Sequence, residues 1–344
     1  TVEGSLKILR RDIGSVFANG VGGWLFDFGP LNKAPEGWYS GETIISEIKH
    51  LVALGSRRKD LDIASEAEIC TVSDPEVFHA TAHWKSGRPW TNYGIKATDY
   101  FNHWFLNTQS RALHRIGAPM DELYRFDFSA EDARRYRLVL IPNAYLLDPP
   151  EAERLRVAFR DSGTTVIWFY APGFITRERL DPGQMERLTG FRFTILDSPG
   201  TMLINSEITT DEGAHKQSFG VSEDHFPRFV VREGADESLG EWADGKGVAF
   251  AAREYEGHKS IYVGSAPVPV EILRILAGRA GARLWSDRPD IIRSTRGAAM
   301  IVATDTGKRQ FALPRPMAPV SGGEARLRHD LNMDYGDVRL FAVA

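Results

Sequence analysis

Between Arg137 and Thr176 the sequence runs strand, helix, strand, and this order constrains the fold more than any other stretch. Leu138-Val139-Leu140-Ile141-Pro142 is an apolar run without polar alternation, as expected of a strand covered on both faces in a parallel sheet. Asp148-Pro149-Pro150 supplies an N-cap carboxylate and prolines for a helix start. Ala152, Leu155 and Phe159 then give that helix one apolar face, and Gly163 stops it. Thr164 to Tyr170 is a second buried strand, closed by Pro172-Gly173. Two parallel strands joined by a helix form a βαβ unit with a right-handed crossover.

The rest of the chain is placed relative to this unit. Leu6 to Ala18 reads as an amphipathic helix ended by Asn19-Gly20, and Gly22 to Gly29 as a strand. A loop rich in Gly, Pro and Asn reaches Gly41, and Ile44 to Leu54 is a second amphipathic helix. A lone strand between helices is incomplete, because a parallel strand needs neighbours to bond its backbone. After the charged linker Arg57-Arg58-Lys59-Asp60, a boundary falls near residue 62. Glu68 to Val72 is a short strand, Thr98 to Ile116 a helix, and Leu123 to Phe128 an approach to the organising strand. Together these predict a flavodoxin-like α/β layer. Residues 191–195 and 228–232 read as antiparallel additions, 248–254 with 259–263 as a hairpin, and Pro269 to Gly281 as a helix. From Ile291 onward short apolar runs alternate with turns, predicting a small antiparallel β domain. The expected domains are 1–62, 63–288 and 289–344.

Composition narrows the function classes. At 344 residues the chain can hold two or three domains. A net charge of −4 argues against a nucleic-acid surface. No apolar run approaches the roughly eighteen residues that a membrane span needs. Cys70 is the only cysteine, so there is no intrachain disulfide and no thiolate metal cluster. That usage favours a cytoplasmic location, although a secreted protein without disulfides would look the same. Eight tryptophans and nineteen phenylalanines suit core packing or sugar stacking. The sequence opens on Thr1 with no signal-peptide pattern, which suggests a cut rather than a biological start.

Few residues offer chemistry by pattern. His79 and His83, four apart, could share a helix face around a metal, but no third ligand lies nearby. His103 and His114 in the next helix offer no more, so no metal site is expected. Gly20-Val21-Gly22-Gly23 precedes a strand, whereas a dinucleotide loop follows one and opens a helix, so no cofactor is expected. Cys70 lies on the first strand of the α/β layer and reads as an inert core thiol.

Three stretches together carry a resemblance. Leu9-Arg10-Arg11-Asp12, Asn19-Gly20, Gly23-Trp24-Leu25-Phe26-Asp27 and Gly37-Trp38-Tyr39 resemble the last unit of the (β/α)8 barrel in β-galactosidases of glycoside hydrolase family 42. The trimerisation domain of that family is similar to residues 111 to 190. The matching pieces there are Arg115-Ile116-Gly117-Ala118-Pro119-Met120-Asp121, Ile141-Pro142-Asn143-Ala144, Tyr170-Ala171-Pro172-Gly173-Phe174 and Leu188-Thr189-Gly190-Phe191. Ala280-Gly281-Ala282-Arg283-Leu284 through Leu313-Pro314-Arg315-Pro316 is similar to the family's C-terminal β domain. The resemblance implies a fragment of a barrel, a domain like class I glutamine amidotransferases that assembles a homotrimer, and a β domain.

It also implies what such a piece would lack. Family members hydrolyse β-galactosides with retention, using two carboxyls about 5–5.5 Å apart. Both are expected to precede residue 1, and Glu3, at a helix start, is not the nucleophile. No catalytic residue is therefore expected within these residues. Trp24 and Asp27, near the C-terminal end of the eighth strand, and Trp38, on the following loop, are the candidate sugar-binding residues. Trp24 packed in the barrel and Asp27 capping a helix is the other reading of the first two. An amidotransferase needs a cysteine on the turn after the central strand, and Tyr170-Ala171-Pro172-Gly173 has none, so amidase chemistry is not expected. The sequence leaves three roles open: the C-terminal part of a hydrolase, a stand-alone sugar-binding or assembly protein, and one chain of a split hydrolase completed by an N-terminal barrel chain.

Overall fold

The spacing of Leu6, Leu9 and Phe17 does its expected work: they are buried on one face of α1 (Val2–Ala18), and α2 (Glu42–Arg57) packs beside it. The computed structural model describes residues 2–26, 39, 41–77 and 103–343. They group into two units, one of residues 1–67, 114–120 and 284–344, the other of residues 68–113 and 121–283. Gly22 to Gly29, expected as a strand, is no strand over residues 21–26, and its remainder lies outside the described residues. A segment of this kind becomes a strand only when a neighbour bonds its backbone.

The second unit is built on β1 (Ile69–Ser73), β2 (Met120–Tyr124), β3 (Leu138–Ile141) and β4 (Thr165–Phe169). α3 (Gln109–Leu113) precedes β2, α4 (Ala130–Arg135) precedes β3, and α5 (Pro149–Phe159) joins β3 to β4. The βαβ unit is therefore present almost at its expected bounds. Its helix start differs in detail. The Asp148 carboxylate accepts from Arg177, while Glu151 reaches back to the Asp148 amide at 3.0 Å. The expected helix from Thr98 to Ile116 is replaced over its described part by a π-helical turn, His103–Thr108, before α3.

Beyond β4 come α6 (Pro182–Thr189), the two-stranded pair β5 (Arg192–Ile195) with β10 (Phe229–Glu233), and a second small pair, β6 (Gly200–Thr201) with β9 (Asp224–His225). β7 (Ile204–Thr210), β8 (Gly213–Phe219), β11 (Glu237–Trp242), β12 (Val248–Tyr255) and β13 (His258–Val263) complete the main sheet. Its nine strands run β2-β1-β3-β4-β13-β12-β11-β7-β8. β1, β3, β4 and β13 pair in parallel, and every pairing from β13 outward to β8 is antiparallel. α7 (Val270–Arg279) follows the sheet. Leu138–Ile141 and Thr165–Phe169 are buried along their whole length, which explains their uninterrupted apolar sequence.

In the first unit, β14 (Ile291–Ser294), β15 (Ala298–Val302), β16 (Gly307–Pro319), β17 (Arg326–Met333) and β18 (Val338–Ala342) form an antiparallel sheet in the order β14-β15-β18-β16-β17. Alternate residues of β15 supply two cores. Ala299 and Ile301 join Trp285, Phe311 and Phe341, while Met300 and Val302 meet Ala18 of α1. Gly14 makes that approach possible, because a Cβ there would sit 2.8 Å from Met300 Sδ. This packing puts residues 1–67 and 284–344 into one unit, where the sequence divides them into separate domains at 62 and 288. Among the described residues no helix is long and apolar enough to cross a membrane.

One buried titratable group gives the second unit a pH signature. His258, at the start of β13, is 2% exposed and lies against the rings of Phe159 and Tyr255. Burial lowers its pKa to about 4. The unfolded chain, with an ordinary histidine near 6.5, then binds more protons than the native state between the two values. Stability should therefore fall as pH drops through that window. His258→Phe keeps the packing and removes the titration. Between pH 7 and pH 5 the wild-type chain should lose about 2 kcal/mol more than the variant, measured by urea denaturation.

Candidate functional site

Trp24 is 80% exposed, with its ring set edge-on to Phe26 at 5.5 Å. It is not packed in a barrel interior within this chain, and Val21 and Phe26 beside it are exposed as well. Asp27 and Trp38, the other two residues expected to touch sugar, lie outside the described residues, as do His79 and His83. Trp24 therefore presents an open indole face, the right group for a sugar ring.

A second place to look is the carboxyl end of the parallel strands, where open α/β sheets bind ligands. Asp74 follows β1 directly and Asn143 follows β3 by two residues. The Asp74 amide donates to Asn143 Oδ1 at 2.9 Å, and Asn143 Nδ2 donates to the Asp74 carbonyl at 2.8 Å. Arg125, just past β2, donates to Asp74 at 2.8 Å and to Glu151 and Glu76 at 3.0 Å each. The side chains of Arg125 and Asp74 are 3% and 0% exposed. Burial pushes the Asp74 carboxyl up, against the pull of Arg125. Burial also works against the Arg125 charge, and the carboxylates more than offset it, leaving the guanidinium above its ordinary value. Nε and both terminal nitrogens of Arg125 are thus bound to carboxylates. The cluster pins the loops after β1 and β2 to α5 and leaves no guanidinium nitrogen uncommitted for a ligand.

Tyr170 occupies the turn directly after β4. Its φ of 60° lies in the left-handed region, unusual for a bulky residue. The phenol donates to the Pro227 carbonyl at 2.7 Å, and burial pushes its pKa far up. The rings of Phe105, Tyr145 and Phe229 stand 5.5–5.6 Å from it. Tyr262 donates to the Tyr170 carbonyl at 2.8 Å. Aromatic rings therefore fill the space around this turn. Cys70 is fully buried in β1, and burial raises its thiol pKa, so it holds no thiolate. His114 sits beside Arg293 at 3.1 Å. Among the described residues no group of three His, Cys, Asp or Glu side chains could hold a metal ion.

The sequence offered a signal for Trp24 but not for the Arg125 cluster. Its members are 26 to 51 residues from Arg125, and single charges scattered at such distances read as surface.

No family model matches the sequence, and no curated protein matches it. Solved structures do. The β-galactosidase from Bacillus circulans sp. alkalophilus superposes with a TM-score of 0.62 at 17% identity, over 90% of this chain and 46% of that one. A catalytic mutant of a glycoside hydrolase family 42 β-galactosidase from G. stearothermophilus gives 0.61 at 15% identity, over 91% and 45%. The cold-adapted β-galactosidase from Rahnella sp. R3 gives 0.56 at 17%, over 86% and 44%. The chain thus shares the fold of one part of these enzymes and spans under half of their length. A large mixed sheet and a separate small antiparallel sheet are the elements of that fold described above.

Two substitutions separate the structural cluster from the exposed ring. Arg125→Met strands Asp74 as a buried unpaired charge and should cost about 3–5 kcal/mol in urea denaturation, with partial recovery when Asp74→Asn is added. Trp24→Ala should leave stability within about 0.5 kcal/mol of the wild-type chain.

Proposed function

We propose that these residues are the C-terminal part of a β-galactosidase-like retaining glycoside hydrolase, serving trimer assembly and walling the active site. The observation that carries the reading is the asymmetry of the fold match: about nine-tenths of this chain against less than half of each β-galactosidase. The exposed Val21 to Phe26 segment supports it. An apolar stretch that is not a strand here suits a last barrel strand bonded by strands from elsewhere in the enzyme. In that setting Trp24, with Asp27 and Trp38, lines the sugar site of a β-galactoside. The acid/base and nucleophile carboxyls, about 5–5.5 Å apart in a retaining enzyme, are supplied by residues outside these 344.

The second unit is read as a flavodoxin-like domain of the class I glutamine amidotransferase type, with a disabled elbow. Its support is the strand order β2-β1-β3-β4 followed by β13 in parallel, the 2-1-3-4-5 order of that fold. Its role as a homotrimer contact is supported by exposed rings a monomer would leave wet, Tyr124 stacked on Phe126 at 5.5 Å and Phe226.

Light scattering after size exclusion should report three times the 38.4 kDa chain mass. A parallel assay should show no hydrolysis of an aryl β-galactoside by this chain alone, and turnover when a barrel-sized chain is present. A monodisperse monomer contradicts the trimer. Turnover by the single chain contradicts the placement of the carboxyls outside it.

A further inference from the structure

The first unit holds a groove of about 450 Å³ between α1, α2 and the side of the sheet formed by β18 and the turn after β16. Its floor is aliphatic: Leu51, Leu54 and Val338 are buried beneath it. No aromatic ring lines it, so it lacks the flat apolar face on which a sugar stacks. Its rim is cationic. Arg10 is locked in a two-point pair with Glu47, Nε to Oε1 at 2.8 Å and a terminal nitrogen to Oε2 at 2.9 Å, which fixes one wall. That pair holds the Glu47 carboxyl below the usual carboxylate range. On the other wall stands Arg339, which donates through one terminal nitrogen to the Val338 carbonyl at 3.0 Å and has the other 4.0 Å from Asp337, whose second oxygen pairs more closely with Lys7 at 2.9 Å. His50, exposed at the mouth, adds a further nitrogen donor. Glu47, the acid on the lining, is held by both nitrogens of its Arg10 pair, which leaves the second terminal nitrogen of Arg339 and the His50 ring as the groups turned to a ligand.

An aliphatic floor beneath a guanidinium has a defined complement. Such pockets take an apolar body and use a few polar groups to fix its head. A guanidinium fork is matched by a planar oxyanion. We propose that this groove binds a small amphiphilic carboxylate, its head group held by Arg339 and His50 and its aliphatic chain laid over Leu51 and Leu54. This site is separate from the sugar-binding role of Trp24 and stands whether or not that role does.

Isothermal titration of the full chain with decanoate, below its micelle-forming concentration, tests it. One saturable site with a Kd of about 0.1–1 mM is expected from the size of the ligand. The Arg339→Ala, His50→Ala double variant should bind at least about tenfold more weakly with an unchanged melting temperature, since both side chains are exposed. Arg339→Glu should abolish decanoate binding and admit decyltrimethylammonium, which the wild-type chain should not bind. Absence of saturable decanoate binding overturns the proposal. So does equal affinity in the double variant, or equal wild-type affinity for the cationic amphiphile.

Discussion

The second unit depends on parallel strands bonded along both edges, β3 between β1 and β4, and β4 between β3 and β13. β4 is paired by β3 on one side and by β13 on the other, both in parallel. Its residues are buried along their whole length. β3 reaches it through α5, and β13 extends it into the antiparallel half of the sheet through β12, β11, β7 and β8. The nine strands are thus a parallel core with an antiparallel wing, joined at β13. Val21 to Phe26 illustrates the opposite condition: apolar residues, exposed, and in no strand.

The carboxyl ends of β1, β3 and β4 are where an α/β sheet offers a crevice. Here the loops after β1 and β2 are held by Arg125 and its three carboxylates, and the elbow after β4 by packed aromatic rings. A tyrosine at positive φ costs roughly 1–3 kcal/mol, which the buried rings and the bonds of both its phenol and its carbonyl offset.

Much of this was legible in the sequence where local pattern and tertiary setting agree. The βαβ unit, α1, α2, α7 and the β12–β13 hairpin appear within a few residues of their expected bounds, because apolar periodicity and turn residues mark each one. Pattern failed where partners are distant. β7, β8 and β11 alternate weakly and take their register from neighbours in the sheet. The pairing of α1 with β15 depends on Gly14 lying under Met300, a contact across 286 residues that no window along the chain reveals. The Arg125 cluster was invisible for the same reason. Trp24, a candidate from its place in the sequence, is exposed here.

The central claim is that Val21 to Phe26 belongs to a sheet completed from outside this chain. Hydrogen–deuterium exchange resolved to single amides tests it most directly. In the isolated protein, the amides of Gly22 to Leu25 should exchange at nearly unprotected rates, while those of β3 and β4 stay protected for hours. Protection of Gly22 to Leu25 comparable to β4 would show that the segment is already satisfied within this chain, and the account of it as an incomplete barrel strand would be wrong.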